Sequence, residues 1–469
     1  MRNSAALLLA VFILTGAAAG ALAEHPSDLT FPPLDFTPPR PARTVLDNGM
    51  VVYLLPDREI PLVSITALIR AGELYVESKK AGQASLTGHI MRTGGAGSMK
   101  PEEIDEKLEY VGAELSVGIG YDSGTASLSV LKKDLDLGME IFSAILMRPS
   151  FNRDRIDLRK RQIEEEIRRE NDVPYRILAR EFRKILYGNH PYGRRATGNM
   201  ESLPGLSRED LVRFHAGYFH PNNIILAVSG DFREDEMLGK LKNAFGAWKR
   251  APVEFPDPSP LKRKYFRSID LVPREINQSS IRIGHFGITW RNPDYFPITV
   301  MNFILGGSNF TSRLTKLIRS DEGLAYYVGS AFIERHDLGI FAADCLTKSG
   351  STSRVVSLML RTIEGMREKR VGREEISMAK DAYANAFVFR FETSEMIVNQ
   401  LAEYEYRGLP RDFLYTYIDK ITAVTAGDIL RVAGEYLHPE KAIVLVVGNE
   451  TAFDEPLAAL GPVNVIEIE

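Results

Sequence analysis

The sequence predicts an α+β protein built from two copies of one domain. The first observation behind this is a long repeat. LSREDLVRFHAGYFHPNNIILAVSGD (206–231) aligns without a gap with VTAGDILRVAGEYLHPEKAIVLVVGN (424–449), at a constant offset of 218 residues, and self-similarity over a fixed period marks a repeated structural unit. The second is that strand-like and helix-like stretches come in blocks rather than as a regular βαβ alternation. The third is size: 469 residues exceed one ordinary core and call for more than one domain.

Along the chain, Arg2 precedes an apolar run to Ala19 and an Ala21-Leu22-Ala23 pattern before Glu24, so 1–23 is expected to be a signal peptide. The run is too short and alanine-rich for a permanent membrane anchor. Export is expected, into the periplasm if the cell is Gram-negative. Residues 24–41, proline-rich and aperiodic, read as an extended arm. The first half, 42–249, then shows β-rich runs at 50–55, 62–69, 113–117 and 124–130 and helical patterns at 100–111, 134–147 and 153–170. In the repeated segment Ser207 and Asp210 form an N-cap with an acid three residues on, matched by Thr425 and Asp428. Residues 250–264 carry four prolines and read as a linker. The second half, 265–469, opens with a strand at 279–286, followed by a strand at 339–346 and helical patterns at 353–368 and 373–389.

Composition excludes several classes. With 58 basic and 62 acidic residues there is no electrostatic case for nucleic acid. Cys345 is the only cysteine, which excludes an intramolecular disulfide and cysteine-rich zinc sites. Gly94-Gly95-Ala96-Gly97 follows no strand and opens no phosphate-binding motif. His190 in NHPYG reads as a turn and packing residue.

Residues 82–94, GQASLTGHIMRTG, carry the most chemistry. An inverted zinc motif, H-x-x-E-H, places two histidines one turn apart with a glutamate to activate water. Here the positions read Ser85-Leu86-Thr87-Gly88-His89: the first ligand is a serine and the base a glycine. Ser85 and His89 as nucleophile and base lack a third group to orient the histidine. Glu166, in a helix with thirteen charges between Arg153 and Glu170, otherwise reads as solvated surface. Arg319 and Tyr326 are ordinary pieces at a helix end and a strand start when taken alone.

An ordered set of stretches resembles the M16 (pitrilysin-type) peptidase family, in particular its two-domain bacterial and mitochondrial-processing-peptidase-like branch. They are LDNGMVVYLLPD (46–57), GAELSVGIGYDSGTASLSVLKKDLDLGMEIFSAILMRPSF (112–151), YGNHPYGRRATG (187–198), ILGGSNFTSRLTKLIRSDEGLAYYVGSAF (304–332) and the repeated segments. The resemblance implies two M16-type (LuxS/MPP-like metallohydrolase) domains forming a clamshell around a peptide-sized cavity. It puts His89 on the second zinc-histidine position and Glu166, 77 residues later, on the third-ligand position. Ser85 and Gly88 stand where a ligand and the base are lost, so no metal is expected in this chain. Arg319 and Tyr326 match an R-x6-Y pair that faces the zinc site, where a phenol can hydrogen-bond an oxyanion and a guanidinium can grip peptide carbonyls. Gly306 and Gly307 just upstream would let a backbone approach closely.

The resemblance therefore implies the non-zinc-binding subunit of a heterodimeric metallopeptidase. Its partner would be an H-x-x-E-H homologue holding the zinc, and its substrate an extended peptide bound by strand addition to a sheet edge. The rival expectation is a non-catalytic peptide-binding or assembly scaffold with the same fold.

Overall fold

The computed structural model describes residues 38–256, 261 and 265–468. The expected signal peptide, residues 24–37 of the arm, and residues 257–260 and 262–264 of the linker lie outside the described residues.

Two six-stranded sheets follow one plan. The first contains β1 (Ala42–Val45), β2 (Val51–Pro56), β3 (Leu62–Ile69), β4 (Glu114–Ile119), β5 (Gly124–Leu131) and β6 (Ile224–Gly230), ordered β1-β2-β6-β3-β5-β4. The second contains β7 (Ser268–Pro273), β8 (Gln278–Phe286), β9 (Ala325–Ile333), β10 (Ile340–Lys348), β11 (Ile443–Gly448) and β12 (Val463–Val465), ordered β12-β7-β11-β8-β10-β9. The repeated segments supply β6 and β11. Each lies parallel to the first long strand of its half, β2 or β7, and antiparallel to the next, β3 or β8. The helices before them start alike, with Ser207 and Thr425 each capping the backbone N–H of an aspartate three residues on. Sheet ends β4 and β9 each pair with one neighbour only, β5 and β10.

Alternation along the strands gives each sheet two apolar faces. In β2, Val52 and Leu54 enter the core of the first half with Leu86, Ile90 and Met91. Tyr53, flanked by Val51 and Leu55, faces the other way and meets Ile397, Val398 and Leu401 of the helix Ser394–Arg407 from the second half. The exchange is reciprocal. Ile177, Leu178 and Phe182 of the helix Pro174–Tyr187 in the first half cover Val272, Phe286, Ala342 and Leu445 of the second sheet. Each half therefore lends one helix to the outer face of the other's sheet, and the two cannot separate without exposing both faces. Polar clasps line the same seam: Arg43 pairs with Glu405 at 2.6 Å, and Arg335 with Asp122 at 3.0 Å.

Two cavities at the seam between the halves measure about 220 and 190 Å³. The helical pattern expected to reach Phe389 ends at Phe387 and tightens into the turn Val388–Phe391. No helix among the described residues is long and apolar enough to cross a membrane.

Candidate functional site

The motif segment is a helix, Gln83–Thr93, whose Leu86, Ile90 and Met91 face the core while Ser85 and His89, one turn apart, are half-buried. Gly88 is buried against β4. A Cβ on it would stand 2.8 Å from Ile119 Cγ1 and 3.0 Å from Ile119 N. The strand occupies the space a glutamate side chain would leave through, so the place of the catalytic base is closed by backbone.

His89 and Glu166 do share a neighbourhood, but a guanidinium holds it. Arg159 donates to Glu166 through Nη1 at 2.7 Å and Nη2 at 3.4 Å, a bidentate grip on the carboxylate. Burial, and then the Arg159 charge, hold the His89 imidazole below its usual pKa, with Arg92 adding to the effect. A second cation would enter this corner against two guanidiniums. Among the described residues no three His, Cys, Asp or Glu side chains are grouped to hold a metal. The residues present do not fit zinc: one ligand is a serine, the base's space is filled and the remaining carboxylate is taken by Arg159.

Beneath the same helix lies a group that sequence reasoning missed. Glu73 is fully buried, and its Oε1 accepts from the Gly82 backbone N–H at 2.9 Å at the helix start. Arg194 Nε stands 3.6 Å from that oxygen. Burial wins over the arginine and pushes the Glu73 carboxyl up to about 8. No spacing or motif announces its role, although it stands in an apolar stretch, between Ala71-Gly72 and Leu74-Tyr75-Val76.

Arg319 and Tyr326 are brought together. Arg319 ends a wide helical turn, Thr315–Asp321, and its guanidinium lies 6.0 Å from the Tyr326 ring centroid and 5.6 Å from that of Phe310, within cation–π range. Tyr326 lies on edge strand β9 and is 79% exposed; Phe310 is 75% exposed. The pairing of β9 with β10 passes from Tyr327↔Leu346 to Ala325↔Thr347, which leaves Tyr326 as the extra residue of a β-bulge, a device that re-aims a side chain. Phe310 is the member of this cluster that the sequence reading did not single out.

Gly306 is needed by the chain itself: a Cβ there would stand 2.5 Å from Ser330 N, so the turn Phe303–Gly307 lies directly on β9. At Gly307, which is exposed, a Cβ would meet Asn302 Nδ2 at 2.9 Å. The close backbone approach at Gly306 is thus made by β9. His89 and Glu166 stand on helices of the first half, and Arg319 and Tyr326 belong to the second.

Two family models match in tandem: "Insulinase (Peptidase family M16)" over 51–199 and "Peptidase M16 inactive domain" over 205–383. An uncharacterized zinc protease of Mycobacterium leprae is 25% identical, with 81% of this chain and 86% of that protein aligned. The non-peptidase homolog YmxG of Helicobacter pylori is 26% identical over 79% of this chain and 85% of its own length. Among solved structures, a peptidase M16 inactive domain from Pseudomonas fluorescens superposes with a TM-score of 0.81 at 23% identity, covering 89% of this chain and 99% of that one. A protease from Helicobacter pylori gives 0.80 at 19%, covering 87% and 99%.

Proposed function

Because this chain belongs to the M16 peptidase family while Gly88 and Arg159 close its own zinc corner, we propose that it is the non-zinc-binding subunit of a heterodimeric metallopeptidase. In this reading it is exported, pairs with an H-x-x-E-H homologue that holds the zinc, and presents Arg319 and Tyr326 to peptide bound at that zinc. The observation that carries the proposal is the Arg319–Tyr326 pair on an uncovered sheet edge: a bulge turns the phenol outward, and it is 79% exposed. Edge strand β9 also leaves Tyr327 and Ile333 about half exposed, so an extended peptide can add to its free backbone groups.

The pair's chemistry suits amide hydrolysis. Tyr326 donates its O–H to the oxyanion of the tetrahedral intermediate, and Arg319 holds a peptide carbonyl. Neither supplies a nucleophile or a base, so both depend on the partner. The test is co-expression with an H-x-x-E-H homologue encoded nearby, followed by size-exclusion chromatography and an assay on an unstructured peptide. The proposal expects co-elution and zinc-dependent cleavage only in the mixed complex. Separate elution with no cleavage would leave the scaffold reading.

A further inference from the structure

The seam between the halves holds a cavity of about 220 Å³ lined by Arg70, Arg291, Arg407, Trp290, His336 and Tyr406. Arg70, Arg291 and Arg407 line it from three separate segments of the chain, and no carboxylate does. Arg407 pairs with Glu403 at 2.7 Å and His336 with Asp337 at 2.8 Å. Arg70 and Arg291 have no carboxylate partner among the described residues. The guanidinium of Arg70 rests over the Phe255 ring at 4.3 Å, and Arg291 donates only to the Arg407 carbonyl, at 2.7 Å.

The second seam cavity shows how the chain neutralises such a cluster when it does so itself. Arg40, Arg43 and Arg411 line about 190 Å³ there, and Glu405 stands among them, paired with Arg43 at 2.6 Å. In the first cavity Glu403 and Asp337 pair Arg407 and His336 from outside the lining, which leaves Arg70 and Arg291 without an acid. Concentrated positive charge in a partly enclosed space raises the local concentration of anions, and planar guanidiniums match the oxygens of phosphate and carboxylate.

We propose that this cavity is a binding site for a small oxyanion, a phosphate or carboxylate group, held between Arg70 of the first half and Arg291 of the second. A space of about 220 Å³ holds such a group with a few further atoms. Bound there, the anion ties the halves together and stabilises the folded chain by mass action. The site is independent of the proposed peptidase role.

Trp290 gives a local reading, since Arg407 lies 5.2 Å over its ring and the chain has only 2 tryptophans. In a Trp248→Phe background, phosphate and malonate are titrated separately at constant ionic strength, with chloride as the balancing salt. Melting temperature is followed in the unsubstituted protein. Saturable change in Trp290 emission with a dissociation constant of about 1 mM or tighter, on the order of −4 kcal/mol, is the expected result. Saturation by phosphate alone assigns the phosphate source, and by malonate alone the carboxylate source; response to both assigns a general oxyanion site. Arg70→Gln and Arg291→Gln should each weaken binding about tenfold, and Arg70→Lys, which keeps the charge, less. Should the glutamine variants not fold, saturation of the unsubstituted protein and its weakening in Arg70→Lys decide. A linear response to both anions, or isotherms unchanged in folded Arg70→Gln and Arg291→Gln proteins, overturns the proposal.

Discussion

Gly88 and Arg159 together explain why the motif corner cannot be returned to zinc chemistry by restoring letters. Any side chain at position 88 meets the β4 backbone at Ile119 N, 3.0 Å from its Cβ, so Gly88→Ala is expected to lower stability by about 1–3 kcal/mol through overpacking, read from urea unfolding. Ser85→His with Gly88→Glu should still leave the purified protein poor in zinc, because Arg159 keeps the Glu166 carboxylate. Adding Arg159→Ala to Ser85→His frees that carboxylate, and zinc content measured by metal analysis should then rise. Stoichiometric zinc in the unsubstituted chain would contradict this account.

Glu73 gives a pH dependence with a definite sign. Its folded pKa is raised to about 8 against an ordinary 4.5, so between those values the unfolded chain releases a proton that the folded chain keeps. Stability from this group is complete below about 4.5 and is lost as pH rises through about 8, with a slope of at most about 1.4 kcal/mol per unit. Glu73→Gln keeps an acceptor for the Gly82 N–H and removes the titration. The variant should be more stable than the parent by a few kcal/mol at pH 9 and nearly equal to it at pH 5; equal pH profiles would place the ionised carboxylate comfortably in its site.

At the scale of elements, the exchanged helices decide how the halves hold together. Phe182, fully buried, lies on the second sheet, and Phe182→Ala should cost about 3–5 kcal/mol and loosen the seam rather than the first core. Leu401, on the reciprocal helix, should behave alike. Proteolysis at the linker, followed by a test of whether the fragments stay associated, would show the seam opening. The repeat was legible because Ser207, Asp210 and His220-Pro221 recur at Thr425, Asp428 and His438-Pro439 in one register. The exchange was not, since the apolar stripe of Pro174–Tyr187 has the spacing of any core helix and does not say which sheet it covers. Arg159 likewise reads as one charge among thirteen in its helix. The bulge at Tyr326 depends on the register of β10, which no local pattern in β9 records.

On the scale of the whole molecule, the described residues form two open sheets with an outward-facing Arg–Tyr pair on one edge strand, β9, while the motif helix lacks the glutamate and one histidine of H-x-x-E-H. In the proposed reading, turnover depends on a second chain that holds the zinc. The most direct test is the turnover of an unstructured peptide by the complex with an H-x-x-E-H homologue, comparing Tyr326→Phe with the parent. If the phenol holds the oxyanion, kcat should fall roughly 100- to 1000-fold with little change in KM, since that hydrogen bond forms mainly in the transition state. A folded, assembled Tyr326→Phe complex that turns over within about twofold of the parent would contradict the account, because a donor worth about 2.7 kcal/mol or more could not be removed so quietly.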